Sequence, residues 1–237
     1  MNKTTFRISL SFTLLALLLC SVANAKSVRV RVLDSDLSKL PFGSDTQASV
    51  KWVEKKVNAS FGPRLKGALD QSERAKVIKA IAAKMIEVRE SMVEFKGQKT
   101  GLENSVLSDE FVHGAKESML RYREGSVDHY LLFTDGKLWK YIRALKAEGK
   151  FGDRLKKHAR DFGTPTSMKS NKGNPTEATW QGDKIVLSIR DLRSVYGTDL
   201  LIVIDQKMKT STDKRRRENA QEKAPDIDPE LQGILED

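Results

Sequence analysis

Cysteine is almost absent from the chain, since Cys20 is the only one among 237 residues. A single cysteine cannot form an intramolecular disulfide, and Cys20 lies in an N-terminal segment that we expect to be removed from the mature protein. A disulfide scaffold, thiol catalysis and a cysteine-ligated metal site are therefore excluded for the mature chain.

Histidine is also scarce, and its three positions have none of the spacings of metal-binding motifs. An acidic run near the C-terminus has carboxylates at alternate positions, but it lacks the glycine and the distal glutamate of a calcium loop. We therefore predict that the protein holds no metal and no cofactor. The residues concerned are His113, His129 and His158, and Asp226, Asp228 and Glu230.

Short catalytic motifs are missing as well. The chain has no Gly-x-Ser-x-Gly motif and no glycine-rich phosphate loop. Its Ser-x-x-Lys sequence, Ser211 to Lys214, lies in a charged segment where nothing would desolvate the lysine. A pair of carboxylates facing each other across a groove would leave no mark in one sequence. The catalytic residues, if the protein is an enzyme, are therefore unknown at this stage.

Long apolar runs are limited to one mostly apolar stretch, residues 8–19, which is too short for a membrane-spanning helix. Two basic residues precede it, and the small residues of Ala23-Asn24-Ala25 follow it. This order predicts a signal peptide at residues 1–25 that is cleaved on export to the periplasm or the exterior. Acylation at Cys20 is the alternative, but that route needs a small residue where this chain has Leu19.

Acidic residues are outnumbered, with 42 Lys and Arg against 32 Asp and Glu and a net charge of +10. The signal segment carries two of these positive charges and no acid, so the mature chain carries +8. A basic exported protein meets an acidic envelope protein or an anionic cell-wall or lipid surface, and not genomic nucleic acid. The alternative is that the excess charge is spread over solvated faces.

Helical periodicity is confined to the first part of the mature chain. From Ser72 to Ser91, apolar residues recur at intervals of three and four, which predicts a helix with one side in a core. Ser44 or Asp45 can cap an earlier helix that Gly62-Pro63 would end. The side predicted to face the core consists of Ile78, Ile81, Ala82, Met85, Val88 and Met92.

Short strand-like runs and turn residues dominate residues 92–205. Asp135-Gly136 predicts a two-residue hairpin between strands around Leu131 and Trp139, and Gln181-Gly182-Asp183 predicts a second hairpin. We therefore predict a single α+β domain at 26–205, an antiparallel sheet with helices packed on one face. The expected strands are 28–32, 92–95, 105–107, 118–122, 129–133, 138–142, 178–180, 184–190 and 200–205, with a helix at 151–162 and a polar loop at 167–175.

The last part of the chain, residues 206–237, is so rich in charge that we predict a flexible tail, disordered or a fraying helix in isolation. Near its end, however, Asp228 can cap a short helix with apolar residues on one side. So short a helix needs a groove to fold against, which indicates docking to a partner; a solvated terminus is the alternative. The apolar residues are Ile227, Leu231, Ile234 and Leu235.

Residues 111–205 resemble a class of exported bacterial α+β proteins of uncharacterised function. The resemblance rests on Tyr130 to Lys140, on Phe162-Gly-Thr-Pro165 and on Thr179 to Asp183. Similar hairpins occur in small envelope-assembly lipoproteins, but this chain lacks their good acylation site. The resemblance implies an architecture of helices on an antiparallel sheet, and it implies no catalytic residue.

Basic and aromatic residues adjoin the predicted Asp135-Gly136 hairpin: Lys137, Trp139, Lys140 and Arg143. Flat aromatic faces beside cations can bind an anionic or sugar ligand, whereas packing within the sheet is the alternative. We therefore predict a non-enzymatic envelope protein that binds a protein or a cell-wall partner. The alternative is a hydrolase that acts on an envelope polymer through unidentified carboxylates.

The signal-peptide prediction has a direct test. We expect the exported protein to begin at Lys26, which mass spectrometry of its N-terminal peptide can measure. A mature protein that begins at an acylated Cys20, or a full-length chain kept in the cytoplasm, would contradict it.

Overall fold

The fold is built on one antiparallel sheet of eight strands. A computed structural model describes residues 37–222; the predicted signal peptide, the predicted strand at 28–32 and the apolar residues of the C-terminal segment lie outside this range. The strands are β1 (Val93–Glu94), β2 (Glu117–Glu124), β3 (Val127–Thr134), β4 (Lys137–Lys146), β5 (Ser167–Asn171), β6 (Asn174–Gln181), β7 (Ile185–Leu192) and β8 (Thr198–Asp205). The α-helices of the described range are α1 (Thr46–Gly67), α2 (Gln71–Glu90), α3 (Phe151–Phe162), α4 (Arg193–Tyr196) and α5 (Gln206–Glu222).

The strands lie in the order β1-β2-β3-β4-β8-β7-β6-β5, and every neighbouring pair is antiparallel. Strand β8 pairs with both β4 and β7 and so joins two meanders into one sheet. The predicted α+β class with an antiparallel sheet is confirmed.

Helices α1, α2 and α3 share one face of the sheet, and side-chain caps fix where the first two begin. The carboxylate of Asp45 accepts a hydrogen bond of 2.8 Å from the backbone N–H of Ala48, and Asp70 caps α2 in the same way through Glu73. Glu73 in turn accepts a bond of 2.8 Å from the N–H of Leu69. Within residues 37–222 no helix is both long enough and apolar enough to cross a bilayer.

The core has two halves, one on each face of the sheet. Under α1, α2 and α3, side chains such as Val53, Val88 and Leu155 pack against strand residues. Burying one such side chain stabilises a fold by roughly 1.5–3 kcal/mol. The opposite half is covered by the irregular segment 95–116, through Phe95, Leu107 and Phe111, and by α5 through Met208. Helices therefore lie on both faces, and the second face also carries irregular chain.

Two segments, one predicted as a strand and one as a loop, have a different structure. Residues 105–107 form turns and not a strand, although Leu107 is buried. Residues 167–175, expected as a polar loop, form most of the β5–β6 hairpin, whose turn residues Lys172 and Gly173 have φ of 49° and 79°. A polar composition hid this hairpin because β5 is exposed along its length and so lacks an apolar face.

The helices also depart from prediction in two places. Helix α1 continues past Gly62-Pro63 to Gly67. A proline inside a helix removes one backbone hydrogen bond, and here the helix continues beyond that missing bond. Helix α2 forms where predicted, but its buried positions are Val77, Met85 and Val88, whereas Ile78 is 58% exposed. Met85 and Val88 are buried as predicted, and Ile81 and Met92 are partly buried against the same core, whereas Ala82 is exposed like Ile78.

Residues 206–222, which we expected to belong to a flexible tail, form α5. The Asp205 carboxylate caps it by accepting a bond of 2.8 Å from the N–H of Met208. Its core contact is small, and polar contacts of Arg215, Arg216 and Asn219 attach it to the sheet and to segment 95–116. Composition alone hid this helix because its binding is ionic and not apolar.

The Asp135-Gly136 hairpin is confirmed, since Thr134 pairs with Lys137 and the two turn residues have φ of 48° and 69°. We expect Gly136→Val to lower the free energy of unfolding by about 1–2 kcal/mol, because a β-branched residue is strained at positive φ. Chemical denaturation measures this change. Gly152→Val, at a helical glycine with open space around it, is the matched control and should have little effect; equal losses in both variants would contradict the turn geometry.

Candidate functional site

The four residues predicted as a ligand-binding patch are not brought together on the surface. Trp139 and Lys140 are buried, at 1% and 3% exposure. Arg143 is half-buried and donates a hydrogen bond of 3.1 Å to the Tyr141 hydroxyl, while Lys137 is exposed at the start of β4. Trp139 and Lys140 therefore serve the interior of the fold, and the four side chains do not form one binding surface.

A β-bulge explains their separation. In the β3–β4 pairing Leu132 faces Lys140, but the next residue, Phe133, faces Leu138, so Trp139 has no partner of its own. Trp139 and Lys140 consequently lie on the same side of the sheet, under α5, while Tyr141 lies under α1. Simple alternation puts Trp139 and Tyr141 on one face, and the bulge makes that expectation wrong.

The bulge delivers Lys140 to a buried ion-pair network. This network consists of Glu110, Glu117, Lys140, Arg190 and Arg216. One carboxylate oxygen of Glu110 lies 3.0 Å from Lys140 Nζ, and the other lies 2.8 Å from an Arg190 nitrogen. Arg216 donates two bonds, of 2.6 and 2.7 Å, to the two oxygens of Glu117.

The network attaches irregular chain and α5 to the sheet. Arg216 and Lys140 each donate a bond of 2.9 Å to the backbone carbonyl of Glu110, and their charges lie 5.0 and 4.3 Å from the ring centroid of Trp139. Burial alone would raise the pKa of the Glu110 carboxyl, but Lys140 and Arg190 outweigh it and hold that pKa below its ordinary value. A buried carboxylate held in this way is a structural group.

A second ionic cluster joins α3 to the ends of β7 and β8. Arg154 donates to both oxygens of the buried Asp199, at 2.5 and 2.8 Å, and to Asp191 at 3.0 Å. It also donates to the carbonyl of Gly149 at the start of α3. Every strong donor of this guanidinium is thus used within the fold, which makes Arg154 a structural residue too.

The surface feature best suited to bind a ligand is a cleft of about 390 Å³ between α1, α2 and the β2–β3 turn. We call it the basic cleft, because four cationic side chains and one carboxylate, Glu124, line it. Phe61 and Tyr122 supply aromatic walls. The four cations are Lys56, Arg64, Lys84 and Arg123.

Several of these cations are already oriented. Arg123 donates bonds of 2.9 Å to both oxygens of Asp128, and Lys84 lies 2.8 Å from Glu87. Arg64 lies over the ring of Phe61, with 5.4 Å between its guanidinium carbon and the ring centroid. Side chains held before binding lose less rotational entropy on meeting an anion.

The inner wall of the basic cleft is rigid. Tyr122 stacks on the ring of His129 at 4.4 Å between centroids, and His129 Nδ1 lies 2.6 Å from the Tyr141 hydroxyl. The Trp52 ring packs edge-on against both tyrosines. Burial and the neighbouring Tyr141 raise the pKa of Tyr122, so its hydroxyl stays protonated.

Carboxylates in the three main clefts all have partners. Each lies within 4 Å of a basic or histidine side chain. These three clefts of the described chain therefore contain no two carboxylates that face each other without such a neighbour. Among residues 37–222, no group of three or more His, Asp or Glu side chains is placed to hold a metal ion. The carboxylates are Glu124 in the basic cleft, Glu94, Glu117 and Asp135 in a second cleft, and Glu148, Asp153 and Asp199 in a third.

Sequence reasoning missed both the network and the basic cleft. Glu110 and Arg190 are 80 residues apart, and Glu117 and Arg216 are 99 apart, so no local spacing marks them. The only local signal was Lys140 in an otherwise apolar strand, which indicates a buried partner.

No family model matches the chain, and neither a curated protein nor a solved structure matches it.

The network generates a stability prediction. We expect Glu110→Gln to lower the free energy of unfolding by about 3 kcal/mol, because it leaves the buried Lys140 ammonium without its counter-charge. The double variant Glu110→Gln/Lys140→Met should lose less than Glu110→Gln alone. Denaturant unfolding at pH 7 measures both, with Glu148→Gln at an exposed pair as a control that should not change.

The pH dependence follows from the same carboxyl. Because the folded-state pKa of Glu110 is depressed, its contribution is present above the unfolded pKa of about 4.3 and is lost as the pH falls through the folded value. Glu110→Gln should therefore flatten the acid limb of the stability curve. An unchanged acid limb, or a double variant less stable than the single one, would contradict the assigned role.

Proposed function

We propose that this chain is a non-enzymatic, exported envelope protein that binds an anionic segment of a cell-wall polymer in the basic cleft. The observation that carries the proposal is the convergence of four cationic side chains around one carboxylate beside aromatic walls. The pattern of residues 1–25 supports export, and the net charge of the mature chain favours anionic partners.

The lining residues suit such a ligand in complementary ways. The guanidinium fork of Arg64 can donate paired hydrogen bonds to a carboxylate or phosphate group, and Arg123, whose Nε and Nη2 bind Asp128, adds positive charge beside it. Lys56 and Lys84 add positive charge, but a lysine ammonium lacks the paired donor geometry of an arginine. The partly exposed ring of Phe61 offers a flat apolar surface to a sugar or an alkyl group.

The alternative, a hydrolase of an envelope polymer, has less support. General acid–base cleavage needs one carboxyl group that can hold a proton and a second that can accept one or act as a nucleophile. In the three clefts described above each carboxylate lies within 4 Å of a basic or histidine side chain, and Asp199 and Glu117 are held by Arg154 and Arg216, so no pair of carboxyl groups stands apart for these two roles.

The proposal predicts binding to purified cell-wall sacculi by the mature chain. We expect co-sedimentation to fall about fivefold in Arg64→Gln, because one charge-assisted contact is lost. Lys66→Gln removes the same charge from an exposed position of α1 outside the cleft and should bind like the unchanged protein.

Further arms of the experiment separate the possible results. Raising the salt concentration should weaken binding, since the contacts are ionic. Equal losses in both variants would show that net charge and not the cleft governs binding. Absence of binding to sacculi at low salt, or equal binding to anionic lipid vesicles, would overturn the assignment to a cell-wall polymer.

A further inference from the structure

Helix α2 has a second apolar stripe that faces away from the core. Ala75, Ile78, Ala82 and Ile86 recur at intervals of three and four, and all four are exposed. The two isoleucines are 58% and 53% exposed. Leu69, just before the helix, is 93% exposed. An apolar stripe of this kind on a surface helix marks a contact surface.

The rim of this stripe is basic. Arg74, Lys79 and Arg89 are exposed along it, against one carboxylate on the same side, Glu90. An occupant should therefore be a short apolar face that carries acidic residues.

The C-terminal segment of this chain has that chemistry. Residues 223–237 contain five acids and one lysine, and they include the four apolar residues that the sequence places on one side of a short helix. Such a segment needs a groove to fold against, since it is too short to be helical alone. The residues are Ile227, Leu231, Ile234 and Leu235.

The path of the chain brings the start of the segment close to β1, the edge strand that follows α2. Helix α5 crosses from β8 to segment 95–116, where Asn219 donates a bond of 3.0 Å to the carbonyl of His113. His113 packs edge-on against Phe95, which follows β1 directly. Phe95 is four residues beyond Ser91, the C-cap of α2, a span of at most about 14 Å. Helix α5 ends at Glu222, and Ile227, five residues further, can lie up to about 17 Å from that end.

We infer that the acidic C-terminal segment docks in cis on the exposed stripe of α2, with its apolar side on Ile78, Ala82 and Ile86. The basic rim faces its carboxylates. This contact crosses the β1 edge of the sheet and links the end of α5 to the helical layer. It also covers the outer edge of β1, the terminal strand of the sheet within residues 37–222, and a covered edge is protected from pairing with another chain.

Cysteine pairing in the mature chain tests the contact, because the only native cysteine, Cys20, lies in the predicted signal peptide. Leu231→Cys is combined with Ala82→Cys or Ile86→Cys on the stripe, and with Ala83→Cys as the matched control. Ala83 is an exposed alanine next to Ala82 and lies about 100° around the helix from it.

We expect an intramolecular disulfide in a monomer to form at least about tenfold faster in a stripe pair than in the control pair, because docking raises the local thiol concentration. Added salt should reduce the difference. Equal rates in all pairs, or no intramolecular disulfide in either stripe pair, would overturn the inference. Disulfide-linked dimers would assign the stripe to the tail of a second copy and overturn docking in cis. Binding to sacculi by the basic cleft does not enter this result.

Discussion

The carboxylate of Glu110 is the group on which one whole face of this protein depends. It lies in irregular chain, yet both of its oxygens and its own carbonyl are bound by cations from β4, β7 and α5. A buried carboxylate costs several kcal/mol unless its partners are in place, so none of these elements can move alone. Helix α5 contributes only Met208 to the apolar core of this face, so the network supplies the attachment that apolar packing supplies for α1, α2 and α3 on the other face.

The same constraint accounts for the irregularity of β4. Regular alternation would point Trp139 toward α1 and leave Lys140 alone on the other face. The bulge puts both under α5, where the indole ring lies between the charges of Lys140 and Arg216. The ring shields the ion pairs from water, and ion pairs in a shielded site are stronger than exposed ones. A local defect in pairing is thus the means by which the sheet holds a charged helix.

The parts of the fold that sequence predicts are those with local causes. The Asp135-Gly136 turn, the extent of α2 and helix 151–162 follow from turn chemistry, periodicity and helix-stop residues. Helix α5 depends instead on contacts between residues that are distant in the chain, and the β5–β6 hairpin was hidden because the exposed strand β5 has no apolar face. The predicted patch around Trp139 is divided by the β-bulge between buried and exposed positions, and the basic cleft, assembled from two helices and a turn, had no sequence signal.

The two faces of the sheet consequently differ in what they can do. On the face with α5, charged side chains are saturated by one another, and an incoming ligand would have to break buried pairs to reach them. On the face with α1 and α2, cations of the basic cleft such as Arg123 are held by a carboxylate and also line a cleft that is open to solvent. The outer side of α2 carries apolar surface. A ligand bound on the face with α1 and α2 leaves the buried network intact. It therefore adds contacts without breaking the ion pairs that hold the fold together. This asymmetry favours the layer of α1 and α2 as the side for the recognition that we propose.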